Sequence, residues 1–407
     1  MTTTSTPLAY LVSRYPAVSH TFILREIAHL RGLGHVIHTA SINPPDRALE
    51  RMDAIERSEA QATYFVKADG PVGAAAALAY WGAKAPAQLL KMFRLGRQLA
   101  RGAKGLAYAL EAAMVAKWMA DKQLAHLHVH FGNAGATVGV LVKALTQCHL
   151  SYTIHGPDEF DDVPGQQLAH KMAAADAVVC ISQFARSQLM RISAPADWRK
   201  FQVCRLGVDP SQFMRSTGSD ACAPVNLLCV GRLTPAKCQV LLVHACARLR
   251  DAGVTFTLTL VGDGPDRSRV EAAVAEHGLD NQIQLTGALT QEGVRQAFAR
   301  ADIFVLPSLA EGIPVVLMEA MCSFVPCVST PVNGIPELIE DDRTGLLATP
   351  GDLDSLVAQL QRLCNSPEDR ARLAQAATVK VRQRFDLACN VRQLSQIFCS
   401  FPATDLT

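Results

Sequence analysis

Short apolar runs rich in β-branched residues alternate with longer segments of helical periodicity along most of the chain. Each short run is typical of a buried strand, and the segments between them are long enough to be crossover helices. The pattern therefore predicts an α/β protein with parallel sheets covered by helices. Strands are expected in the first half at Leu8–Val12, Val36–Ala40, His126–His130, Tyr152–His155 and Ala177–Ile181. In the second half they are expected at Val225–Val230, Phe256–Val261, Ile283–Thr286, Ile303–Leu306 and Pro326–Ser329.

The two sets of strands are separated by residues 207–224, which are rich in glycine, proline, serine and threonine, as is typical of a linker. Two doubly wound domains are therefore expected, one at residues 1–206 and one that begins at residue 225. Ligands of such sheets bind beyond the carboxyl ends of the strands. A cleft between the two domains is the expected binding site.

Composition narrows the class of protein. At 407 residues the chain is long enough for two or three domains. Its net charge of +2, with 49% apolar and 19% charged residues, argues against a nucleic-acid partner. Neither a secretory signal nor a membrane-spanning helix is predicted. The 12 cysteines include no Cys-x-x-Cys pair and are interpreted as reduced thiols of a cytoplasmic protein rather than as disulfides or zinc ligands.

Glu311 and Glu319 lie on either side of a predicted helix start. Pro314 suits the first position of a helix, and Gly312 would let the backbone come close to a ligand. Such a helix start attracts a phosphate or diphosphate. Two carboxylates are compatible with that anion if they accept hydrogen bonds from sugar hydroxyls on either side of it. The pattern therefore predicts a nucleotide-sugar site. For either glutamate alone, the alternative is an exposed position in the first turns of a helix.

Arg232 and Lys237 follow the predicted strand that precedes Gly231. Both cations are expected in a loop at the carboxyl edge of the sheet, where a diphosphate would lie. A guanidinium fork and an ammonium group suit two phosphoryl groups. The alternative is a pair of solvated surface cations, but the linked glutamates favour the phosphate site.

Two further motifs are interpreted as structural. Gly262-Asp-Gly-Pro265 lacks the third glycine of a dinucleotide fingerprint, so a nicotinamide site is rejected. Asp352-Leu-Asp354 is a tripeptide that holds a metal in other proteins. Here it precedes a helical pattern, so helix capping is the favoured interpretation. No metal ligand is assigned.

The segment between Asp69 and Glu111 contains cations but no acidic residue. Its basic face, with Trp81, Met92 and Phe93 nearby, could rest on anionic lipid headgroups. The alternative is a pair of crossover helices packed on the sheet with their cations in water. These cations are Lys84, Lys91, Arg94, Arg97, Arg101 and Lys104.

The glutamate pair and the motifs around it resemble a known enzyme family. Glu311-Gly312-x-Pro314 followed by Glu319-Ala-Met321 is similar to the paired-glutamate signature of family 4 of the retaining glycosyltransferases, which have the GT-B fold. Other motifs follow in the family's order, namely Val230-Gly-Arg-Leu-x-x-x-Lys237, Val261-Gly-Asp-Gly-Pro265, Pro307-Ser308, Ser329-Thr-Pro331 and Gly334-Ile-Pro-Glu337. In the first half, Tyr15-Pro-x-x-Ser19 and His155-Gly-x-Asp158 resemble the branch that makes colanic acid and other exopolysaccharides. The resemblance covers nearly the whole chain.

The resemblance implies specific roles for the donor site. Glu311 would contact hydroxyls of the donor sugar, Glu319 the nucleotide ribose, and His155 the sugar near the reaction centre. The nucleotide-sugar domain would occupy residues 225–385, and a helix at 386–407 would return to the acceptor-binding domain at 1–206. For His155 the alternative is a polar residue that ends a strand. The implied catalytic residues are His155, Glu311, Arg232 and Lys237, and the implied donor-binding residues are Arg232, Lys237, Gly312, Ile313, Pro314 and Glu319.

Ser19 and His20 follow the first strand, in a loop that could reach the donor phosphate or the acceptor. We assign Ser19, His20 and Asp158 to the acceptor, although Asp158 could instead cap a helix. The chain also departs from the family. His20 stands where a glutamate is common, and Phe324 and Asn333 stand where glycine is common, so the pocket could be reshaped.

These features together predict a retaining, metal-independent glycosyltransferase. It would move a hexose from a UDP- or GDP-sugar to a hydroxyl of a lipid-linked glycan in bacterial exopolysaccharide biosynthesis. It would need no cofactor and would lie at the inner face of the plasma membrane. The alternatives are a nucleotide-sugar epimerase of GT-B fold and a non-catalytic nucleotide-sugar-binding subunit.

Overall fold

A computed structural model describes residues 7–213 and 224–401, with the side chain of Ser19 left out. The chain divides into two units, Met1–Cys204 together with Ala388–Thr407 (unit 1) and Arg205–Leu387 (unit 2). The first division falls two residues before the end of the predicted first domain. Residues 214–223 of the predicted linker lie outside the described residues.

Unit 1 contains a parallel sheet of seven strands in the order β3-β2-β1-β4-β5-β6-β7. The order reverses between β1 and β4, so the loops after these two strands lie side by side at the carboxyl edge. The strands are β1 (Leu8–Arg14), β2 (Ile37–Asn43), β3 (Tyr64–Phe65), β4 (His126–His130), β5 (His149–Ile154), β6 (Ala177–Cys180) and β7 (Phe201–Val203).

Helices cover this sheet and bury a core of apolar side chains from β1, β4 and β5. Three of the helices occupy most of the segment between Asp69 and Glu111, hereafter the basic segment, and they pack on one another. Gly96 and Gly105 let two of these helices cross closely, since a Cβ at Gly105 would lie 2.5 Å from the carbonyl oxygen of Gly96. The helices are α1 (Thr21–Gly32), α2 (Ala54–Ala62), α3 (Gly70–Lys84), α4 (Pro86–Leu99), α5 (Ala103–Asp121), α6 (Ala134–Thr146), α7 (Leu168–Ala174) and α8 (Gln183–Ile192).

Unit 2 contains a second parallel sheet, with six strands in the order β10-β9-β8-β11-β12-β13. Counted from the first strand of the unit, this is the 3-2-1-4-5-6 order of a Rossmann fold, which reverses between β8 and β11. The strands are β8 (Val225–Val230), β9 (Phe256–Val261), β10 (Ile283–Gly287), β11 (Ile303–Leu306), β12 (Cys327–Ser329) and β13 (Leu346–Leu347).

Helices of unit 2 pack on its sheet and bury a core of apolar side chains from β8, β9 and β11. Asp352 begins one of them by accepting a hydrogen bond from the backbone N–H of Ser355 at 3.0 Å, so the capping interpretation is confirmed. The helices are α9 (Gln239–Asp251), α10 (Arg267–Glu276), α11 (Gln291–Arg300), α12 (Val315–Cys322), α13 (Ile335–Leu338), α14 (Leu353–Asn365) and α15 (Pro367–Arg384).

The last helix, α16 (Leu387–Cys399), packs on the first strands of unit 1. The hydroxyl of Ser395 lies 2.6 Å from Nε2 of His35. The ring of Phe398 packs against Tyr10 and His128, with centroids 6.2 and 4.9 Å away. The α/β class with two parallel-sheet units is thus confirmed. Within the described residues, no helix combines the length and apolar character that crossing a membrane requires.

Candidate active site

The loop after β8 is held in place by the Gly262-Asp-Gly-Pro265 motif. The backbone N–H of Gly231 donates to Val261 at 2.9 Å, and that of Leu233 donates to Asp263 at 3.0 Å. A side chain at Gly262 would overlap the carbonyl oxygen of Gly231, and one at Gly264 would overlap that of Leu233. These glycines therefore serve close backbone packing, and they fix the loop that carries Arg232.

Arg232 and Lys237, the two cations of this loop, differ in their surroundings. Arg232 is exposed, and its guanidinium makes no ion pair within the described part of the chain. Its carbonyl oxygen accepts a hydrogen bond from the buried amide of Gln239 at 2.9 Å. The ammonium group of Lys237 contacts the carboxylate of Glu311. Two cations are thus available at the carboxyl end of β8, one open to solvent and one already paired.

Glu311 is buried and receives hydrogen bonds on one carboxylate oxygen. The hydroxyl of Ser308 donates to Oε1 at 2.7 Å, and the ammonium of Lys237 contacts the same atom. Only 7% of the Glu311 side chain is exposed, compared with 20% of that of Lys237. Lys237 follows β8 and Glu311 follows β11, so the pair lies at the point where the strand order reverses. Open α/β sheets bind their ligands at this point.

Hydrogen bonds join the loops after three neighbouring strands. The backbone N–H of Leu309 donates to Ala236 at 2.7 Å, which connects the loops after β11 and β8. The hydroxyl of Thr330, just after β12, donates to the carbonyl of Ser308 at 2.5 Å. Ser308 is therefore held from both sides, and it in turn orients Glu311. The motifs Pro307-Ser308 and Ser329-Thr-Pro331 thus contribute to the construction of one site.

Asn333 supports the backbone of Glu311, although glycine is common at this position in the family. Its φ of +46° is a conformation that asparagine tolerates better than most residues. Its side-chain oxygen accepts a hydrogen bond from the N–H of Glu311 at 3.1 Å. Gly334 then lies directly against the backbone of Gly312 and beside Ile313. Asparagine therefore meets the conformational requirement and adds a contact to the site.

The helix between the two glutamates begins one residue later than the sequence predicts. Pro314 is the N-cap of α12 rather than its first residue, with an extended ψ of 118°. Ile313 before it is buried, and Glu319, in the second turn, is 8% exposed. Phe324 follows the C-terminal end of α12 at a φ of +58°, where glycine would be unstrained, and lies 5.7 Å from the guanidinium of Arg382. Phe324, where the family commonly has glycine, thus lies at the opposite end of α12 from Glu311.

In unit 1, His155 is the first residue after β5, not the last residue of the strand. Its ring packs against Phe22 and Phe131, with centroids 4.9 and 4.5 Å away. Its Nε2 lies 3.1 Å from Nδ1 of His130. Burial, followed by the neighbouring His130 and His20, lowers the pKa of His155 well below its usual value. The neutral imidazole is therefore the favoured form of His155.

Glu159, which the sequence interpretation missed, shapes the turn that follows His155. Its carboxylate accepts a hydrogen bond from the N–H of His155 at 2.7 Å and contacts the N–H groups of Gly132 and Gly156. Burial raises its pKa to about 7, although the three N–H groups lower it. Asp158 is exposed and caps no helix, because a short 3-10 turn begins there with Pro157 before it. The capping alternative for Asp158 was therefore wrong.

The predicted acceptor residues lie in the loops after β1 and β5. His20 is half-buried, its Nδ1 lies 3.1 Å from the carbonyl oxygen of Arg14, and its ring stacks near Phe131 at 5.0 Å. Phe131 touches both His20 and His155, so these two histidines line one side of the same aromatic cluster. The side chain of Ser19 lies outside the described part of the structure, and Asp158 points to solvent nearby.

Two family models match the chain, the first mainly in unit 1 and the second within unit 2. Residues 20–212 match "Glycosyltransferase Family 4", and residues 223–380 match "Glycosyl transferases group 1". Together with the two Rossmann-like units, these matches identify the chain as a member of glycosyltransferase family 4, with the GT-B fold.

The relatives of the chain support this assignment over its whole length. The amylovoran biosynthesis glycosyltransferase AmsK of Erwinia amylovora is 32% identical over 407 residues, which cover 96% of this chain and 98% of that protein. The "Putative colanic acid biosynthesis glycosyltransferase WcaL" of Escherichia coli (strain K12) is 26% identical over 410 residues, which cover 96% of this chain and 98% of that protein. The crystal structure of Anabaena HepE in complex with UDP and glucose has a TM-score of 0.74 at 18% identity, and it covers 97% and 100% of the two chains.

Proposed function

We propose that this glycosyltransferase is a retaining enzyme of bacterial exopolysaccharide biosynthesis. It moves a hexose from a UDP- or GDP-sugar to a hydroxyl of a lipid-linked glycan. The observation that carries the proposal is the contact between Lys237 and the buried carboxylate of Glu311, at the point where the strand order of unit 2 reverses. It combines a phosphate-binding cation with a carboxylate that can accept hydrogen bonds from sugar hydroxyls.

The proposed mechanism is electrostatic. The diphosphate of the donor lies near Arg232, Lys237 and the N-terminus of α12, where these groups stabilise the charge that develops on the leaving group. Glu311 holds hydroxyls of the donor sugar, and Glu319 holds the ribose. The leaving diphosphate departs from the face that the acceptor attacks, so the configuration of the sugar is retained. This mechanism requires no protein nucleophile.

Gly312, Ile313 and Pro314 supply backbone to the donor site in this proposal. Unit 1 supplies acceptor contacts through Ser19, His20 and Asp158, and His155 acts on the sugar during transfer. No cofactor or metal ion is part of the mechanism.

The relatives favour transfer over the alternatives. AmsK is described as an "Amylovoran biosynthesis glycosyltransferase" and WcaL as a "Putative colanic acid biosynthesis glycosyltransferase", and both match nearly the whole chain. The HepE structure contains UDP and glucose, which supports a nucleoside diphosphate hexose as the donor. An epimerase or a silent binding subunit would share the donor site, but it would not transfer sugar to an acceptor.

A thermal-shift screen over UDP- and GDP-sugars is the first test of the donor. A ligand present at about a hundredfold its dissociation constant adds about 2.7 kcal/mol to stability. We expect one sugar nucleotide to raise the melting temperature clearly more than its free nucleoside monophosphate does.

Proton NMR of the product should then show the anomeric configuration of the donor. An inverted product would contradict the retaining mechanism.

We also propose that the basic segment binds the inner face of the plasma membrane. Its six cations are all exposed, and the apolar side chains of Leu90 and Leu106 are 52% and 51% exposed beside them. Trp81 and Met92, which the sequence interpretation placed near the membrane, instead belong to the core, with 5% and 0% exposure. Leucines, not these residues, are therefore the apolar groups that could enter the headgroup region.

Liposome co-sedimentation tests the membrane proposal. Each cation near an anionic surface contributes about 1 kcal/mol, so binding should be measurable at low salt and should weaken steeply as salt rises. Replacing Lys91, Arg94 and Arg97 with glutamine should release the protein without changing its affinity for UDP. Wild-type protein that fails to sediment with anionic liposomes at low salt would refute the proposal.

A further inference from the structure

A chain of buried polar groups runs through unit 1 to His155. The hydroxyl of Tyr10 donates to Oε1 of Glu26 at 2.9 Å, and the same oxygen lies 3.3 Å from Nε2 of His130. Nδ1 of His130 then lies 3.1 Å from Nε2 of His155. His130 is fully buried and Glu26 is 6% exposed. These contacts connect α1, β4 and the residue after β5 within one unit.

We propose that Glu26 is a positioning residue that acts through His130 to hold His155 in a single tautomer. The two atoms do not form a well-aligned hydrogen bond, but a lone pair on Nε2 of His130 would face the carboxylate of Glu26 at 3.3 Å. Because a carboxylate carries no proton to share, its charge favours the tautomer of His130 with the proton on Nε2. With a single proton on its ring, His130 then has its lone pair on Nδ1, and this atom accepts from Nε2–H of His155. The lone pair of His155 is consequently on Nδ1, which has no hydrogen-bond partner within the described part of the chain.

The consequence for catalysis rests on the proposed function. With its lone pair fixed on Nδ1, His155 can accept a hydrogen bond from a substrate hydroxyl through this atom alone. The rings of Phe22 and Phe131 restrict rotation of the imidazole. Glu26 touches no substrate in this scheme. It determines which atom of His155 is available, as a carboxylate does for a histidine in other enzymes.

A metal site is the competing interpretation of the same cluster. Glu26, His128 and His130 each offer a ligand atom within 4.8 Å of the others. However, both ring nitrogens of His128 are already hydrogen-bonded, Nδ1 to Ser151 at 2.8 Å and Nε2 to Thr153 at 3.0 Å. A metal ion on His128 would break one of these bonds. The geometry therefore favours ordered protons on His130 and His155 over a metal site.

Nitrogen-15 NMR of histidine-labelled protein tests the tautomers directly. We expect His130 and His155 to carry their protons on Nε2 in the wild type. The Glu26→Gln variant should give mixed tautomers for both, and Glu26→Met should do the same if Glu26→Gln does not fold. The control Tyr10→Phe removes only the hydrogen bond from Tyr10 to Glu26 and should leave both tautomers unchanged. Tautomers unaffected by either change at Glu26 would overturn the proposal.

A kinetic cycle tests whether Glu26 acts through His155. We expect Glu26→Gln to lower kcat at least about tenfold while the Kd for UDP changes less than about twofold, since unit 2 carries the proposed phosphate-binding cations. In a His155→Gln background the same change should have no further effect. Additive losses would overturn the proposal.

A zinc-binding measurement tests the competing metal site. Zinc bound at one ion per chain in the wild type and lost in Glu26→Gln would also overturn the proposal, in favour of a metal site. If the wild type transfers no sugar, the proposed function fails, and the NMR measurement alone decides the role of Glu26.

Discussion

Removing either cation after β8 should weaken binding of a nucleoside diphosphate, but only one of the two removals should destabilise the protein. Arg232 is exposed and makes no ion pair within the described residues, whereas Lys237 contacts the buried carboxylate of Glu311. The changes Arg232→Ala and Lys237→Ala therefore separate the contribution to ligand binding from the contribution to folding.

The expected magnitudes follow from these surroundings. A hydrogen bond to a charged group contributes about 1.5–3 kcal/mol, so each change should weaken UDP or GDP binding about 10-fold to 100-fold. Lys237→Ala also leaves the carboxylate of Glu311 with Ser308 as its side-chain donor. Breaking a fully buried pair costs about 3–5 kcal/mol. Because the Lys237 side chain is 20% exposed, we expect a cost of about 2 kcal/mol and a Tm lower by about 4–8 °C.

Calorimetry with UDP and GDP, combined with scanning calorimetry of the unliganded protein, measures both effects. Arg232→Ala serves as the matched control, with reduced affinity and an unchanged Tm. If both variants bind the diphosphate as the wild type does, the site is wrongly assigned. If Lys237→Ala has the Tm of the wild type, the Lys237–Glu311 pair does not stabilise unit 2.

Three further predictions concern catalysis and stability. A chelator should leave transfer unchanged, and loss of activity that magnesium or manganese restores would contradict the mechanism. Asn333→Gly keeps the backbone unstrained but removes the bond to Glu311, so kcat should fall about fivefold, equivalent to about 1 kcal/mol, with the fold intact by circular dichroism. Burial lowers the pKa of His126 from 6.5 to about 3 in the folded protein. Below pH 6.5 the unfolded state therefore binds more protons than the folded state, and the free energy of unfolding decreases as the pH is lowered. Urea unfolding should show a loss from pH 7 to pH 5 that is about 2 kcal/mol larger in the wild type than in His126→Gln.

Much of the fold could be predicted because buried parallel strands have a strong sequence signal. All the predicted strands form, and His126–His130 and Val225–Val230 have the expected bounds. The strands that were missed, β3, β7 and β13, each lie at an edge of a sheet and contain two or three residues. Such short runs are not distinguishable from loops by periodicity.

The candidate site was predictable where a motif is local in sequence, and it was not where distant residues meet. Arg232 and Glu311 could be found from their motifs, but the sequence could not show that Lys237 and Glu311 form a pair. Glu159 and Glu26 have no motif of their own. Their roles come from backbone N–H groups and a histidine that only the folded chain brings to them. The burial of Trp81 likewise depends on packing between helices.

Release of nucleoside diphosphate from a sugar nucleotide, with and without acceptor, tests the central claim most directly. The acceptor would be lipid-linked glycan extracted from a bacterium that makes the polysaccharide. We predict that wild-type protein releases the diphosphate only when this acceptor is present, and that Glu311→Gln, although folded, releases it at least about a hundredfold more slowly. Equal release in the presence and absence of acceptor, or a fully active Glu311→Gln variant, would contradict the account.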